Sequence, residues 1–342
     1  MRTVPLCLIG FGNVGRAFAR MLLLKKDLLE KDYQVNFTVT AISTGQHGTA
    51  VNRNGIDMKK ALHLGEKGLP LKGLSNFPSD LNFSEIINSS GAVVLLENTP
   101  VNYASGQPAL DHIAEALKAG MHAVTANKGA VLHGYQSLTE LAQRQNRQFL
   151  FESTVMDGAP IFSLVRKTLP AIKLIGFEGI LNSCTNLLLE RMEKGETLDK
   201  ATSYARSIGI AESDPSGDID GWDAAIKVAL LVNILMNIPI KLGEVQRKGI
   251  RAIQPTELQA ANKEGQKWKL ICRAERRDGK LIASVAPEKV DIKSPLYSVC
   301  GTSSFLLFKT DALPGLGILE SNPGPETTAY GLLSDLLTIY AK

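Results

Sequence analysis

The sequence predicts an α/β protein in two parts, a parallel sheet with helices on both faces followed by a second α/β part of α+β character. Three observations carry the expectation. An apolar run without alternation, residues 4–9, leads into Gly10-Phe-Gly-Asn-Val-Gly15 and then a helical pattern. Apolar strands and amphipathic helices alternate over 92–152, the order that builds a sheet buried on both sides. After Pro239 the periodicity shortens to that of strands, with a hairpin turn at Glu275-Arg-Arg-Asp-Gly-Lys280.

A length of 342 residues suits about two domains, each with its own core. Hydrophobic residues at 44% and charged residues at 21% fit a globular chain in water. The net charge of +4 arises from basic residues scattered among 34 acids, with no basic block interleaved with aromatics, which argues against a nucleic-acid partner. Cys7, Cys184, Cys272 and Cys300 stand far apart and form no CxxC pair, so reduced thiols are expected rather than a zinc cluster or a disulfide frame. The N-terminus runs straight into a strand, and the most apolar stretch, 228–236, is about half a membrane span. A cytoplasmic protein without membrane contact is expected.

In the first strand-turn-helix unit each glycine has a stereochemical task. Gly10 allows the tight turn, Gly12 lets backbone approach a pyrophosphate, and Gly15 lets the helix pack on the strand. The phosphates would rest on the N–H groups at the helix start, with Phe11, Asn13 and Val14 completing the turn, so a dinucleotide cofactor is expected. The second strand, 36–42, ends in Ser43-Thr44-Gly45 and lacks the acid that would bind an adenosine ribose 2′-hydroxyl. A 2′-phosphate is then not repelled, and Ser43 and Thr44 with Arg53, Lys59 or Lys60 are candidate partners for it; NADP is slightly favoured over NAD. Residues 45–81 read as a long connection with one short helix over 59–62. The third strand, 92–97, is followed by Asn98-Thr99-Pro100, with Thr99 a further cofactor contact. Helix 108–119, strand 122–125 and Ala126-Asn127-Lys128 come next. Lys128 falls at the carboxyl end of a strand, where open α/β sheets bind ligands, although a lysine there is equally often surface charge. Helix 133–147 and strand 149–152 close the first domain, taken as 1–150.

The second domain, 151–310, begins at the turn Glu152-Ser-Thr-Val-Met-Asp157, whose oxygens either suit a hard cation or simply make a turn. Helix 160–169 and strand 172–181 lead to Asn182-Ser-Cys-Thr-Asn186, a polar cluster that either hydrogen-bonds a substrate or caps a helix starting near Leu187. Helices 187–194 and 197–208 precede residues 209–227, which hold five carboxylates, three glycines, a proline and one lysine just ahead of an apolar helix. Pro215, Gly217 and Gly221 keep the first half of this stretch out of regular helix. In the second half Asp223 and Lys227, four apart, share one helix face. As an ordinary exposed pair they would contribute only about 0.3 to 0.5 kcal/mol. The acidic loop before them and the apolar helix behind them favour a ligand site instead. Glu212 and Asp223 are the first candidates for ligand contact and Asp218 the next, while Asp214 and Asp220 are expected to shape the turn. Segments 242–250, 270–274, 281–285 and 305–309 read as strands. Residues 311–342 hold a glycine-rich stretch and an amphipathic helix expected to pack back on the first domain.

Gly10-x-Gly-x-x-Gly15, Thr125-Ala-Asn-Lys128, Gly179-Ile-Leu-Asn182-x-x-Thr-Asn186 and, with the greatest specificity, Gly209-Ile-Ala-Glu212-Ser-Asp214-Pro through Asp218, Gly221, Asp223 and Lys227 together resemble homoserine dehydrogenase over nearly the whole chain. The resemblance implies a Rossmann domain, a dimerisation region and an α/β substrate domain, in a homodimer. It implies reduction of L-aspartate 4-semialdehyde to L-homoserine with NADP or NAD, a step of threonine and methionine biosynthesis. Lys227 and Lys128 would be the catalytic lysines, and Glu212, Asp223, Asp218, Asn182 and Thr185 would serve the substrate. A monovalent cation such as sodium would sit on Glu152 and the backbone carbonyls of Val155, Asp157 and Ala159. The C-terminal regulatory domain of some family members is not expected. Three departures from the family pattern bear on the substrate. Ser183-Cys184 stand in place of Gly-Thr, Met156-Asp157 fall in a turn that is typically glycine-rich, and residues 323–329 replace a Gly-x-Gly-Ala-Gly run.

Hydride transfer needs orientation of nicotinamide and carbonyl, plus a proton source for the alkoxide. Lys227 is the expected acid/base, Lys128 the assisting cation, and Glu212 with Asp223 the holders of an amino group. Two readings compete: the same chemistry on another small hydroxy acid or hydroxy-amino acid, and a nucleotide-binding sensor without turnover. The presence of both lysines argues against the sensor.

Overall fold

The computed structural model describes residues 1–341 apart from Ser79, Ser213 and Asp278, so one residue of the acidic stretch and one of the hairpin turn lie outside the described residues. The chain divides into two compact units, Met1–Pro160 with the segment from Gly324 onward, and Ile161–Pro323. Each is α/β and contains one six-stranded sheet.

In the first unit the strands are β1 (Arg2–Ile9), β2 (Val35–Thr44), β3 (Gly48–Val51), β4 (Val94–Glu97), β5 (His122–Thr125) and β6 (Phe149–Leu150). They lie in the order β3-β2-β1-β4-β5-β6, all parallel except the antiparallel edge strand β3. Winding reverses between β1 and β4, and at such a switch point open parallel sheets bind ligands beyond their carboxyl ends. Leu6, Leu8, Leu96 and Val124 from the strands share one core with Phe11, Phe18 and, from the terminal helix Pro325–Tyr340, Ala329, Leu332 and Leu336. That helix packs on the first helix, Asn13–Leu24.

The connection expected over 45–81 is more ordered than its composition suggests. β2 runs on through Ser43 and Thr44, β3 pairs with it, and a helix spans Met58–Glu66. Asp57 starts that helix by accepting from the backbone N–H groups of Lys59 and Lys60. Elements this short leave too few periods to be read from hydrophobicity alone.

In the second unit β7 (Leu174–Ile180), β8 (Gln246–Arg247), β9 (Gln266–Arg277), β10 (Lys280–Asp291), β11 (Ser304–Thr310) and β12 (Leu316–Glu320) lie in the order β12-β11-β7-β9-β10-β8. All pairs are antiparallel except the two-residue contact of β8 with β10. Helices Ser183–Glu193, Trp222–Leu235 and Pro255–Lys263 pack against β9. On the other face Ile180, Ile271 and Val290 are covered by Leu296 and Val299. The strand expected over 242–250 is reduced to a turn, Leu242–Glu244, and the two residues of β8. β12 occupies the glycine-rich segment, and the helix expected over 160–169 breaks after Ile161–Ser163 into a π-helical turn, Leu164–Thr168. No helix among the described residues is long and apolar enough to cross a membrane.

Candidate active-site residues

The glycine turn of the first unit is built by exclusion. Gly10 sits at φ +94°, and a Cβ there would collide with the carbonyl of Asn98; a Cβ at Gly15 would collide with the carbonyl of Gly10. Gly12 is different, with nothing within 4 Å of where a Cβ would sit, so its bare backbone faces open space rather than a packing partner. Phe11, 2% exposed, pins the turn into the core. The helix that follows, beginning at Asn13 and Val14, has no side-chain cap, which leaves its first N–H groups for an anion. Both polar atoms of the Asn98 side chain are buried without a hydrogen-bond partner. A cradle that a Cβ would fill and an orphaned amide beside it fit a dinucleotide.

Thr99 donates its backbone N–H to Glu97 at 3.2 Å and accepts from the Asn127 side chain at 3.0 Å through its carbonyl. Asn127 in turn caps the helix Lys128–Arg144, its side-chain oxygen accepting from Gly129 and Ala130. Lys128 is thereby the first residue of a capped helix, directly after β5. At the other strand end, the Ser43 and Thr49 hydroxyls meet at 2.9 Å, and Thr44 Oγ1 accepts from His47 N–H at 2.7 Å. Arg53, a candidate for a 2′-phosphate, is instead drawn to the carbonyls of Ser89 and Asn88 at 2.7 and 3.1 Å, where a helix end needs donors. Lys60 pairs with Asp57.

The turn after β6 is clamped to the terminal helix. Asp335 accepts from Glu152 N–H at 2.9 Å, and Ser153 Oγ donates to the Thr328 carbonyl at 2.8 Å. Asp157 adopts φ 39° and accepts from Thr328 Oγ1 at 2.6 Å, so its carboxylate already tethers the turn. Glu152 and Val155 are buried at 2% and 1%, and Ala159 at 8%.

In the second unit one residue organises the polar cluster. The Asn182 amide nitrogen donates to Asp218 Oδ1 at 2.7 Å and Asp223 Oδ2 at 2.9 Å, while its oxygen accepts from Thr185 N–H and Oγ1, both at 2.8 Å. Asn182 therefore caps a helix and gathers two carboxylates at once. The cap starts that helix at Ser183 rather than near Leu187, which places Thr185 inside it, fully buried with its hydroxyl engaged by Asn182. Lys227 Nζ donates to the Leu181 carbonyl at 2.7 Å and lies 3.5 Å from Asp223 Oδ2, with the two side chains only 12% and 7% exposed. Asp223 and Lys227 are thus a largely buried pair, beyond the range of an ordinary surface bridge.

The rest of the acidic stretch divides. Asp214 accepts from Ser216 N–H at 3.0 Å, a turn-forming bond, and Ser216–Ile219 forms one helical turn. Asp220 departs from expectation and pairs with Arg251 at 2.8 Å. Glu212 is exposed, and its backbone carbonyl accepts from Arg206 at 3.3 Å; among the described residues no hydrogen bond or ion pair ties its carboxylate to the Asn182 cluster.

Residues 160–337 match the family model for homoserine dehydrogenase, and residues 10–152 match that for the homoserine dehydrogenase NAD-binding domain. The chain belongs to the homoserine dehydrogenase family. Its members are NAD(P)-dependent oxidoreductases. The chain is 38% identical over 338 residues to a homoserine dehydrogenase of Methanocaldococcus jannaschii, covering 98% of each chain. It is 32% identical to an NAD(+)-dependent homoserine dehydrogenase of Pseudomonas canavaninivorans, covering 99% of this chain and 97% of that one. Among solved structures it resembles a hyperthermophilic archaeal homoserine dehydrogenase in complex with NADPH, with TM-score 0.82, 28% identity and coverage of 98% and 97%.

Against the family pattern, Cys184 is 4% exposed, and burial, aided by the Asp218 and Asp223 carboxylates, pushes its thiol well above the usual range. It is an unreactive neighbour of the acids. Ser183 Oγ meets Ser304 Oγ at 3.2 Å. Glu97, fully buried at the end of β4, went unselected by sequence reasoning; an acid closing an apolar strand was the available signal.

Proposed function

We infer that the protein interconverts L-aspartate 4-semialdehyde and L-homoserine with a nicotinamide coenzyme, serving amino-acid biosynthesis. The observation that supports this most is the cluster of buried Asn182 and Asp223 with partly buried Asp218 and Lys227, a proton donor held against acids that suit an ammonium group. When bound, a nicotinamide coenzyme would supply the hydride for the aldehyde carbon. As the carbonyl electron pair moves onto oxygen, Lys227 donates the proton that makes the hydroxyl, and in the reverse direction it removes it. Lys128 is assigned the role of assisting cation. Asp223, with Asp218 beside it, holds the substrate ammonium. Glu212, exposed in the free chain, joins them on substrate binding, and Asn182 with Thr185 fixes the acids. Gly10, Gly12 and Gly15 with Phe11, Asn13 and Val14 cradle the pyrophosphate, and Asn98 and Thr99 meet the rest of the coenzyme.

NADP is preferred slightly over NAD, on the ground that β2 ends in Ser43 and Thr44 without an acid. A sodium-like cation is placed on Glu152 and the carbonyls of Val155, Asp157 and Ala159, an all-oxygen donor set of the kind hard cations take. A homodimer in the cytoplasm is proposed as well. It would use the sheet face on which register aligns Phe305, Leu307, Leu319 and Ile282, the last two 57% and 41% exposed, around the Arg273 bridges to Glu178 and Glu288.

A spectrophotometric matrix of L-homoserine against NAD and NADP tests the reading. Turnover with homoserine is expected, somewhat faster at low NADP than at low NAD. Strong activity on another hydroxy acid and none on homoserine would overturn the substrate; coenzyme binding with no turnover on any substrate would overturn catalysis.

A further inference from the structure

We propose that Glu97 is a positioning residue for Lys128, setting the start of the lysine's helix through Thr99, Thr125 and Asn127. The proposal rests on the reading of Lys128 as a catalytic lysine. A carboxylate with no exposed surface is costly unless its oxygens are satisfied. Here its partners are the turn after β4 and the end of β5. Thr99 donates to Glu97 Oε1 from both its hydroxyl and its backbone N–H. Thr125 Oγ1 lies 3.4 Å from Oε2 and donates to the Glu97 carbonyl at 2.8 Å. His112 Nδ1 stands 3.6 Å from Oε1, its ring tilted against Phe83 with centroids 4.4 Å apart.

Two links carry this order to the lysine. Thr125 Oγ1 accepts from Asn127 N–H at 2.9 Å, and the Thr99 carbonyl accepts from Asn127 Nδ2 at 3.0 Å. Asn127 is therefore held from backbone and side chain together, and its Oδ1 fixes the first turn of the helix that begins with Lys128. The same turn bears on the coenzyme loop, because the Asn98 carbonyl fills the space a Cβ at Gly10 would need. Packing alone does not require an acid here, since a neutral strand end would seal the core as well. The charge gives the Thr99 hydroxyl and N–H one fixed acceptor while the Glu97 carbonyl holds Thr125, and through Thr99 the carboxylate fixes Asn127.

The test is a double-mutant cycle on kcat at saturating substrate and coenzyme, pairing Glu97→Gln with Lys128→Ala. Glu97→Gln keeps the shape and removes the charge. A misplaced catalytic group costs one to two orders of magnitude, so about a 10-fold loss is expected in the otherwise wild-type chain. In the Lys128→Ala chain no further loss is expected, because the residue acted on is gone. Losses that multiply in the double variant would overturn the proposal, as would a Glu97→Gln enzyme within about twofold of wild type. Lys128→Ala turnover within a few-fold of wild type would instead sink the catalytic reading of Lys128, a separate and earlier result. Asn127→Asp, which keeps the cap oxygen and deletes the donor to Thr99, runs the same cycle should Glu97→Gln fold poorly.

Discussion

The candidate sites of the two units are built by opposite means. The first uses backbone: three glycines shape a turn, an uncapped helix start offers N–H groups, and Gly12 leaves open space. The second uses side-chain charge, with Asn182 holding Asp218 and Asp223 in one partly buried network and Lys227 against Asp223. A backbone cradle tolerates almost any side chain but depends on an absent Cβ. A charge cluster tolerates backbone change but fails if one polar partner is lost.

Gly10→Val should bring the largest loss. It sets a branched side chain at φ +94° against the Asn98 carbonyl, a strain of about 4 kcal/mol or more. Coenzyme titration by fluorescence should show binding abolished, and intact binding would mean the turn is not the cradle. Asn182→Leu comes next. It strips Asp218 and Asp223 of their shared donor, a cost of about 3 kcal/mol to be read by urea unfolding, with coenzyme affinity unchanged. Equal stability of variant and wild type would break the contrast from the other side.

Smaller effects separate the units by pH. Burial in the second unit lowers Lys269 from its ordinary value to about 8, its Nζ donating to Asn186 Oδ1 and the Val299 carbonyl. The unfolded chain then holds that proton more tightly between about 8 and 10.5, so stability should rise with pH across this window. The rise is about 3 kcal/mol and should vanish in Lys269→Met when unfolding is compared at both ends of the window. In the first unit, burial and then the Arg147 and Arg2 charges lower His122 to about 4. Its contribution is present above 6.5 and is lost as pH falls toward 4, a change that His122→Gln should flatten in acid-unfolding curves.

The same contrast governs what the sequence revealed. The glycine turn was legible because one local spacing carries the whole geometry, and β1 and its helix stand beside it in the chain. The Asp223 and Lys227 pair was legible for the same reason, as neighbours on one helix. The role of Asn182 was not, because its partners arrive from residues 218 and 223, and a cap and a carboxylate clamp look alike in a string of residues. Glu97 shows the limit more sharply. Its significance lies in hydroxyls at 99 and 125 that only the parallel pairing of β4 with β5 brings together.

The most direct test of the account separates coenzyme binding from turnover in Lys227→Ala. Removal of a positioned acid costs about 100- to 10,000-fold in kcat, and a loss in that range is expected with coenzyme affinity within about twofold of wild type. Turnover within a few-fold of wild type would contradict it.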